Sequence, residues 1–345
     1  MENQNDGRLP LLGMSLTELQ SLTTKLGEAK FRGQQLADWL YKRQVTEFSQ
    51  MANLPAPFRA RLQEQYTIGR ELPLSSVTSQ DGTRKYLFPA GAARTIETAM
   101  IPDAERRTLC ISCQVGCRMG CAFCATGKQP WGGNLSTQSI VNQTISVDEA
   151  STLSNIVLMG MGEPMDNIDS VLAALTVLTA PWGLAMSPRR ITVSTVGLKA
   201  GLQRFLNESE CNLAVSLHTP FDDERDELMP ANRAFGIQEL LSLLRRYNWW
   251  GQRKLSFEYV VLARQNDTPR HAEALAQLLR GIPCLVNLIG YHPHPASPFQ
   301  RPSQVTLIQM RDHLNDLGIK TTIRASRGMD IGAACGLLSR TQRTS

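Results

Sequence analysis

The sequence predicts an α/β fold, a partial (β/α)6 barrel preceded by an N-terminal helical accessory domain and a short β extension. Three observations predict it: apolar residues at helical spacing near the start, strand-like runs around an Asp81-Gly82 turn, and β-rich runs that alternate with amphipathic segments from about residue 105 onward. A chain of 345 residues, 42% of them hydrophobic, can bury a large core. The predicted boundaries are 1–66 for the accessory domain, 67–104 for the β extension, 105–330 for the barrel and 331–345 for a C-terminal tail.

The first two regions are predicted from local patterns. Residues 15–45 repeat apolar side chains at helical spacing, with a Ser or Thr available as N-cap, and Asn53-Leu54-Pro55 opens a second helical stretch that runs to Gln65. From Thr67 to Ile101 the pattern changes to that of strands joined by turns. An extended β segment therefore leads into the barrel.

The barrel is predicted from a repeating order of strand, loop and helix. The strand candidates are TLCISC, NIVLMG, RRITVSTV, NLAVSL, LSFEYVVL and LVNLIG, closed by KTTIRA. Helices are predicted at 136–149, 168–180, 198–208, 237–247, 270–280 and 303–317. Six βα units are too few for an eight-stranded barrel and suit a partly open one, whose chemistry is expected at the carboxyl ends of the strands.

Charge and hydropathy set bounds on partners and location. The formal net charge of +5 permits a polyanionic partner without requiring one. The sequence has no basic segment leading into an apolar leader and no apolar run long enough to span a bilayer. We therefore expect a soluble, cytoplasmic protein without a membrane partner.

Cysteines give the strongest chemical signal. Five of the eight lie within fifteen residues, at 110, 113, 117, 121 and 124, which indicates a metal site or thiol chemistry and not a disulfide framework. Cys117, Cys121 and Cys124 can ligate three irons of a cubic cluster and leave the fourth iron open for a substrate. The alternative is zinc, because Cys110-x-x-Cys113 with Cys117 or Cys121-x-x-Cys124 offers four thiolates.

A glycine-rich turn follows the second barrel strand. In Gly160-Met-Gly162-Glu163-Pro164, the glycines permit close approach of a ligand to the backbone, and the carboxylate can accept hydrogen bonds from a cationic amine. A tight βα turn with an acidic N-cap explains the same residues without a ligand. Both interpretations stay open at this point.

The order and spacing of the motifs resemble those of a known family. The segments TLCISCQVGCRMGCAFCATG, VLMGMGEPMDN, RRITVSTVGL, LAVSLHTPFDDERDELMP, FEYVVL and RGMDIGAACGLL are similar to the RlmN/Cfr family of radical SAM rRNA adenine methyltransferases, and KFRGQQLADWLY is similar to that family's accessory domain. The resemblance runs almost to the end of the chain. It implies a radical SAM barrel, a [4Fe–4S] cluster on Cys117, Cys121 and Cys124, and two molecules of S-adenosylmethionine (SAM) per turnover.

The resemblance also implies which residues contact SAM. The matching positions are Gly162, Glu163, Ser194, Ser216, Leu217, His218 and His292. His292 departs from the family pattern, which has Asn before Pro at this place, although either side chain can donate a hydrogen bond.

A thiol-based reaction is implied by the same comparison. Cys335 would receive a methyl group from one SAM, a radical derived from the second SAM would take hydrogen from that methyl group, and the carbon radical would attack an electron-poor adenine carbon. Cys110 would then attack the sulfur of Cys335 to release product as a transient disulfide forms, and Glu97 would accept a proton. Cys113 stands where the family has Ser, and we expect it to be a bystander.

The implied substrate is an adenosine of 23S rRNA, with tRNA as a second candidate. Carbon 2 of adenine is favoured over carbon 8, because QVGC and RGMDI look nearer the housekeeping branch of the family. An electron donor such as flavodoxin or ferredoxin and a monomeric state are expected. The alternatives are another radical SAM reaction, or a zinc-stabilised RNA-binding protein without catalysis.

Two sets of basic residues are candidates for RNA contact. The first consists of residues that flank the site and could line it with positive charge: Arg106, Arg107, Lys128, Arg324 and Arg327. The second is the segment 245–254, which interleaves cations and aromatics. For that segment a helix end with two core tryptophans, Trp249 and Trp250, is the favoured interpretation.

Overall fold

The structure, a computed structural model, describes residues 7–91, 94–295 and 297–338. Its N-terminal region contains the short parallel pair β1 (Leu9–Pro10) and β2 (Tyr66–Thr67) and the helices α1 (Leu16–Lys25), α2 (Arg32–Ala37) and α3 (Ala56–Gln65). Helix α1 begins with a capping box, in which the Ser15 Oγ accepts from the Glu18 amide at 3.2 Å and the Glu18 carboxylate accepts from the Ser15 amide at 2.7 Å. The predicted helical region is thus present.

The β extension forms one end of the main sheet. Strands β3 (Ser75–Thr78), β4 (Arg84–Pro89), β5 (Thr95–Asp103) and β6 (Arg106–Cys110) pair in antiparallel order. The turn between β3 and β4 is the predicted one, because Gly82 adopts a φ of +82° there. The predicted boundary at residue 104 falls in the β5–β6 turn, so the extension and the barrel share one continuous sheet.

The barrel strands follow in sequence order. After the small hairpin β7 (Gln114–Val115) and β8 (Gly133–Asn134), the parallel strands are β9 (Asn155–Leu158), β10 (Ile191–Thr195), β11 (Asn212–Ser216), β12 (Leu255–Val261), β13 (Leu285–Gly290) and β14 (Thr321–Arg324). Among the described residues the main sheet has ten strands, ordered β14-β13-β12-β11-β10-β9-β6-β5-β4-β3. Every predicted barrel strand is present, and β6 and β9 to β14 pair in parallel.

Helices connect the parallel strands. They are α4 (Thr137–Ile145), α5 (Ile168–Thr179), α6 (Lys199–Glu208), α7 (Asp222–Leu228), α8 (Ile237–Leu244), α9 (Pro269–Leu279) and α10 (Gln304–Asp316). Each predicted helix is present, although α4 and α8 end several residues early. Helix α7 was not predicted, because its sequence DDERDEL has no apolar periodicity.

Among the described residues, the largest hydrophobic cluster extends from the N-terminal region into the barrel. It includes buried side chains of the N-terminal region, such as Leu36 and Phe58, together with barrel residues such as Val193 and Phe257. Arg70 joins the two regions, since its guanidinium donates to the carbonyls of Gln44 and Ile145, each at 2.6 Å. In the part of the chain that is described, no helix has the length and apolar character needed to cross a bilayer.

Candidate active site

The candidate active site is a cavity at the carboxyl ends of the parallel strands. It brings together most of the residues that sequence analysis placed in the site: Cys117, Cys121, Cys124, Gly162, Glu163, Ser194, Ser216, His218, His292 and Cys335. Leu217, Cys110 and Glu97 do not line it. Since these residues come from separate strand ends along two thirds of the chain, the parallel topology is what assembles the site.

The cysteine loop follows β6 and β7 and is anchored on two sides. The Ala122 amide donates to the Leu228 carbonyl at the end of α7 at 2.9 Å, and the Ala125 amide donates to the Gly336 carbonyl at 2.8 Å. The second bond, reinforced by one from the Thr126 hydroxyl to the Leu338 carbonyl, joins this loop to the loop that carries Cys335. The two thiol-bearing loops are therefore held side by side.

The three thiols of the motif occupy a setting that suits a metal centre. Burial raises the pKa of Cys117 to about 12 and raises that of Cys121 well above its ordinary value, with a further upward contribution to each from Cys124. Thiols so close and so buried become thiolates only when a cation compensates their charge. Within the described ranges, no three His, Cys, Asp or Glu side chains are arranged to hold a single metal ion. The donor set fits a cluster with three thiolate ligands.

Gly160 and Gly162 allow the end of β9 to pack against the segment from the end of β6 to β7, just before the cysteine loop. A Cβ on Gly160 would lie 2.7 Å from the Ile111 carbonyl oxygen, and one on Gly162 would lie 2.6 Å from the Gln114 Cβ. Gly162 also has a φ of +106°, which side chains disfavour. Both glycines line the cavity, so their lack of a side chain serves close packing and leaves the backbone open on the ligand side.

Glu163 is buried, and its carboxylate is already well bonded. It accepts from the Thr195 hydroxyl at 2.6 Å, from the Val196 amide at 2.9 Å and from the Met165 amide at 3.0 Å. The last bond is the N-cap interaction that the simpler interpretation of this motif predicts. Burial nevertheless raises the pKa of Glu163 to about 7, against the opposing effect of these hydrogen bonds. The carboxylate joins the ends of β9 and β10 and faces the cavity.

Ser194 and Ser216 lie on neighbouring strands and both face the cavity. Leu217, the next residue, points into the core instead and is fully buried. His218 has a φ of +64°, which is uncommon for a non-glycine residue. Its Nδ1 accepts from the Val260 amide at 3.0 Å, and its ring meets the Phe123 ring edge-on at a centroid distance of 4.7 Å. The histidine therefore positions the aromatic residue of the cysteine motif.

His292 has a free polar atom in the cavity wall. The side chain is 4% exposed, and its Nδ1 is buried without a hydrogen-bond partner among the described residues. Burial lowers the pKa of His292 to about 4, with a smaller contribution from Arg301, so the ring is neutral near pH 7. A buried nitrogen without a partner is costly, which fits a group that bonds to a ligand.

Cys335 and Cys110 lie near each other at the end of β6. Both thiols are free, and Cys110 packs with Ala99 and Ala333 beside the cavity. Burial and the neighbouring Cys335 raise the pKa of Cys110 to about 12, and Arg324 opposes that effect. The pKa of Arg324 is itself raised, first by Cys335. Arg324 therefore lies close to both thiols, and it lines both this cavity and the neighbouring one.

Glu97 lies on β5, beneath the Cys335 loop and outside the cavity wall. Its Oε1 forms an ion pair with Lys85 Nζ at 2.9 Å, and that amine would be 3.8 Å from a Cβ placed on Gly332. The backbone carbonyl of Glu97 accepts from the Ser112 hydroxyl at 2.6 Å. The predicted proton acceptor is therefore close to the tail residues, with a lysine between them.

Glu258 is a cavity residue that the sequence did not single out. It is buried on β12, where its Oε1 accepts from Ser256 and Asn287 and its Oε2 has no hydrogen-bond partner among the described residues. The Oε2 atom lies 3.7 Å from Arg324 Nη1. The sequence could have identified Glu258, because it is an acidic residue within the apolar run LSFEYVVL, and an acid inside a buried strand requires a partner.

A second cavity adjoins the first and is a candidate entrance for RNA. It shares Cys335, His292 and Arg324 with the first and adds Thr108 and Arg327. Arg106, Arg107 and Lys128 are exposed, as a phosphate-binding role requires. In the segment 245–254 the prediction of two core tryptophans is half correct: Trp249 is 3% exposed and Trp250 is 82% exposed.

Comparisons with known proteins agree with this arrangement. Residues 9–68 match the family described as the ribosomal RNA large subunit methyltransferase N-terminal domain, and residues 111–278 match the radical SAM superfamily. A Porphyromonas gingivalis protein named probable dual-specificity RNA methyltransferase RlmN is 52% identical over 339 residues, 98% of this chain and 96% of that protein. A Marinobacter nauticus dual-specificity RNA methyltransferase RlmN is 40% identical over 341 residues, 96% and 92% of the two chains.

A solved structure has the same fold. A radical SAM methyltransferase from Sphaerobacter thermophilus superposes with a TM-score of 0.91 at 39% identity, covering 96% of this chain and 100% of that one. Parallel strands that place three cysteines on one cavity thus define a radical SAM enzyme, a class that carries a [4Fe–4S] cluster and uses SAM. The chain belongs to the RlmN family of radical SAM RNA methyltransferases.

Family membership decides between the alternatives that cysteine spacing left open. The cofactor is the iron–sulfur cluster and not zinc, and the protein is an enzyme and not a binding module. The roles of the individual site residues stay predictions.

Proposed function

We propose that this enzyme methylates carbon 2 of an adenosine in 23S rRNA, with tRNA as a second substrate, through a methyl group carried on Cys335. The observation that carries the proposal is the position of Cys335 on both cavities, the one lined by the three cluster cysteines and the one beside Arg327. A sulfur at that junction can accept a methyl group from one side and present it to RNA on the other.

The chain's own residues supply the thiol chemistry. The bound cluster supplies the electron that cleaves SAM reductively. Cys335 accepts the first methyl group, and Arg324 lines the cavity beside it. After the carbon carried on Cys335 has lost a hydrogen atom and bonded to the adenine carbon, and the unpaired electron and the adenine proton have left, Cys110 attacks the Cys335 sulfur. The bond from that sulfur to the transferred carbon breaks, the carbon takes up a proton to become the methyl group, and the Cys110–Cys335 disulfide that forms must be reduced by an external thiol.

A proton must also leave the adenine carbon. Glu97 is the proposed acceptor, and its carboxylate forms an ion pair with Lys85. The site in this conformation holds Lys85 between Glu97 and the tail, so the proposal requires a small movement of that amine. An acidic single-electron donor such as flavodoxin or ferredoxin, a monomeric state and a cytoplasmic location complete the proposal.

Turnover by a Cys335→Ala variant tests the proposal. After anaerobic reconstitution with iron and sulfide, the protein is incubated with SAM, reductant and 23S rRNA, and 5′-deoxyadenosine and methyladenosines are measured by mass spectrometry. The unaltered enzyme should form 2-methyladenosine, and Cys335→Ala should form none. Cys284→Ala removes a half-buried thiol outside the cavity and should retain activity.

Other outcomes have clear meanings. Formation of 8-methyladenosine would correct the carbon and keep the mechanism. A Cys335→Ala variant that still methylates RNA would overturn the carrier role. Cys110→Ala should leave RNA attached to the protein through Cys335, because the releasing thiol is missing, and free product from that variant would remove Cys110 from the mechanism.

A further inference from the structure

Arg225 is a fully buried arginine in α7, at 0% exposure, directly behind the cysteine loop. Its Nη2 donates to the carbonyls of Val196 and Ser216, each at 2.8 Å, and its Nε donates to the Leu217 carbonyl at 3.2 Å. Its Nη1 donates to Asn232 Oδ1 at 2.5 Å. The guanidinium thus joins the ends of β10 and β11, from which Ser194 and Ser216 face the cavity.

All of these acceptors are uncharged. Among the described residues no carboxylate forms an ion pair with Arg225, and Asp226 reaches it only through Asn232, whose amide donates to Asp226 Oδ1 at 2.7 Å. A guanidinium keeps its proton even when buried, and a buried charge without a counterion is expensive. The described part of the chain therefore holds a buried positive charge that has hydrogen-bond acceptors and no directly bonded carboxylate.

The helix that carries Arg225 contacts the cluster motif. Cys121 packs against Leu228 and Met229 at the end of α7, and the Ala122 amide donates to the Leu228 carbonyl. Arg225 lies three residues before Leu228 in α7, so its guanidinium belongs to the helix that contacts the cysteine loop. A cluster held by three thiolates is negative overall, and it becomes more negative when it accepts an electron.

We propose that Arg225 is the buried countercharge of the iron–sulfur cluster and raises its reduction potential. It acts as a positioning residue that touches neither RNA nor the reacting carbon. Because it stabilises the reduced cluster more than the oxidised one, its charge makes the electron that cleaves SAM easier to load. The proposal rests on two observations: the three cysteines share one loop, and the helix that contacts this loop contains a buried guanidinium with no directly bonded carboxylate.

The test compares two variants that separate charge from hydrogen bonding. Arg225→Lys keeps the charge and loses most of the hydrogen bonds, whereas Arg225→Gln loses the charge and keeps some bonds to the strand-end carbonyls. Arg233→Gln removes an exposed cation from the following segment and serves as the matched control. Each full-length protein is reconstituted anaerobically, its iron and sulfide are counted, and the cluster is titrated with reductant while its electron paramagnetic resonance signal is followed.

For Arg225→Gln we expect at least a tenfold smaller equilibrium constant for reduction, which is a negative shift of about 59 mV for a one-electron couple. Arg225→Lys and Arg233→Gln should stay within threefold of the unaltered protein. A Gln variant that fails to load its cluster while the Lys variant loads normally also supports the countercharge. If Arg225→Gln has an unchanged reduction potential, or if both Arg225 variants fail equally to load the cluster, the countercharge proposal is wrong. Arg225 would then have only a structural role, holding the strand ends together. The titration contains no RNA, so it is independent of the proposed substrate and of Cys335.

Discussion

The Glu163 side chain both caps a turn and faces the cavity. Its carboxylate caps the turn after β9 and accepts from the Thr195 hydroxyl and the Val196 amide, so it orders two strand ends that face the cavity. The two interpretations of the Gly-Glu-Pro motif that the sequence left open are therefore compatible. The capping interaction holds the backbone in the shape that a ligand would meet.

Glu163→Gln should weaken both the fold and SAM binding. A glutamine has one acceptor oxygen and turns an NH2 group toward donors that the carboxylate satisfied, and each buried donor left unpaired costs about 1–3 kcal/mol. We expect a lower free energy of unfolding in urea and a clear loss of SAM affinity by calorimetry. Glu210→Gln, at an exposed position, should change neither, and unaltered SAM affinity in Glu163→Gln would contradict this role.

The sequence predicted most of the residues that line the cavity, but it did not predict the contact between Glu258 and Arg324. The motif residues were predictable because family resemblance fixes their register, and the cavity collects all of them except Leu217, Cys110 and Glu97. The Glu258–Arg324 pair was not predictable, since the two residues are far apart in sequence and meet only through the parallel order of β12, β13 and β14.

The β3–β4 hairpin is an element whose turn supports the reactive loop. Asp81, in the predicted turn, accepts from the Gly328 amide at 2.8 Å and from the Thr83 amide at 2.9 Å. The Ser79 hydroxyl donates to Asp330 on the same loop at 2.5 Å. The β extension therefore anchors the segment that leads to Cys335.

Asp81→Ala should loosen that segment more than the rest of the protein. Loss of the bond to Gly328 costs about 1 kcal/mol, which corresponds to about fivefold faster amide exchange in residues 328–336. Hydrogen–deuterium exchange followed by mass spectrometry measures this. Glu105→Gln, in the neighbouring β5–β6 turn, is the control, and unchanged exchange in 328–336 would show that the hairpin is not an anchor.

The same anchor should depend on pH at the acid end. Partial burial alone would raise the pKa of Asp81, but hydrogen bonds from Gly328, Thr83 and Ser79 prevail and lower it to about 2. Because the pKa in the folded state lies below the ordinary value of about 3.9, the stabilisation is complete above that value and is lost as the pH falls toward 2. Exchange in 328–336 should rise over this interval in the unaltered protein and much less in Asp81→Ala.

Helix α7 could not be predicted from the pattern of apolar residues. The parallel strands and six of the connecting helices were predicted from apolar runs that alternate with amphipathic segments. The structure confirms their order. Helix α7 lacks that periodicity because it is held by Arg225 and its contacts with the cysteine loop, which are tertiary interactions. The hairpin anchor was equally hidden, since 247 residues separate Asp81 from Gly328.

At the scale of the whole molecule, the N-terminal region and the barrel share one core and should unfold together. Arg70 contributes to this coupling through its bonds to Gln44 and Ile145, and the Tyr41 and Trp182 rings meet at a centroid distance of 5.7 Å. A continuous apolar core favours a single cooperative transition. The accessory region is thus part of the barrel's packing, although its boundaries were predicted from sequence as a separate domain.

Arg70→Ala should lower the stability of the entire protein. Two carbonyls lose a charged donor, which costs about 2–3 kcal/mol, and differential scanning calorimetry should still record one transition at a lower temperature. Arg246→Ala, at an exposed position, should leave the transition unchanged. Two separate transitions in the unaltered protein would contradict the shared core.

The two hydrogen bonds between the cysteine loop and the Cys335 loop should make the shape of one loop depend on that of the other when the cluster is lost by oxidation. Air destroys exposed iron–sulfur centres, and a loop that loses its metal loses the ligand bonds that hold it in shape. The bonds from Ala125 and Thr126 would then no longer support Gly336 and Leu338 beside Cys335. An enzyme molecule whose cluster has been oxidised should therefore lose the arrangement of both loops together.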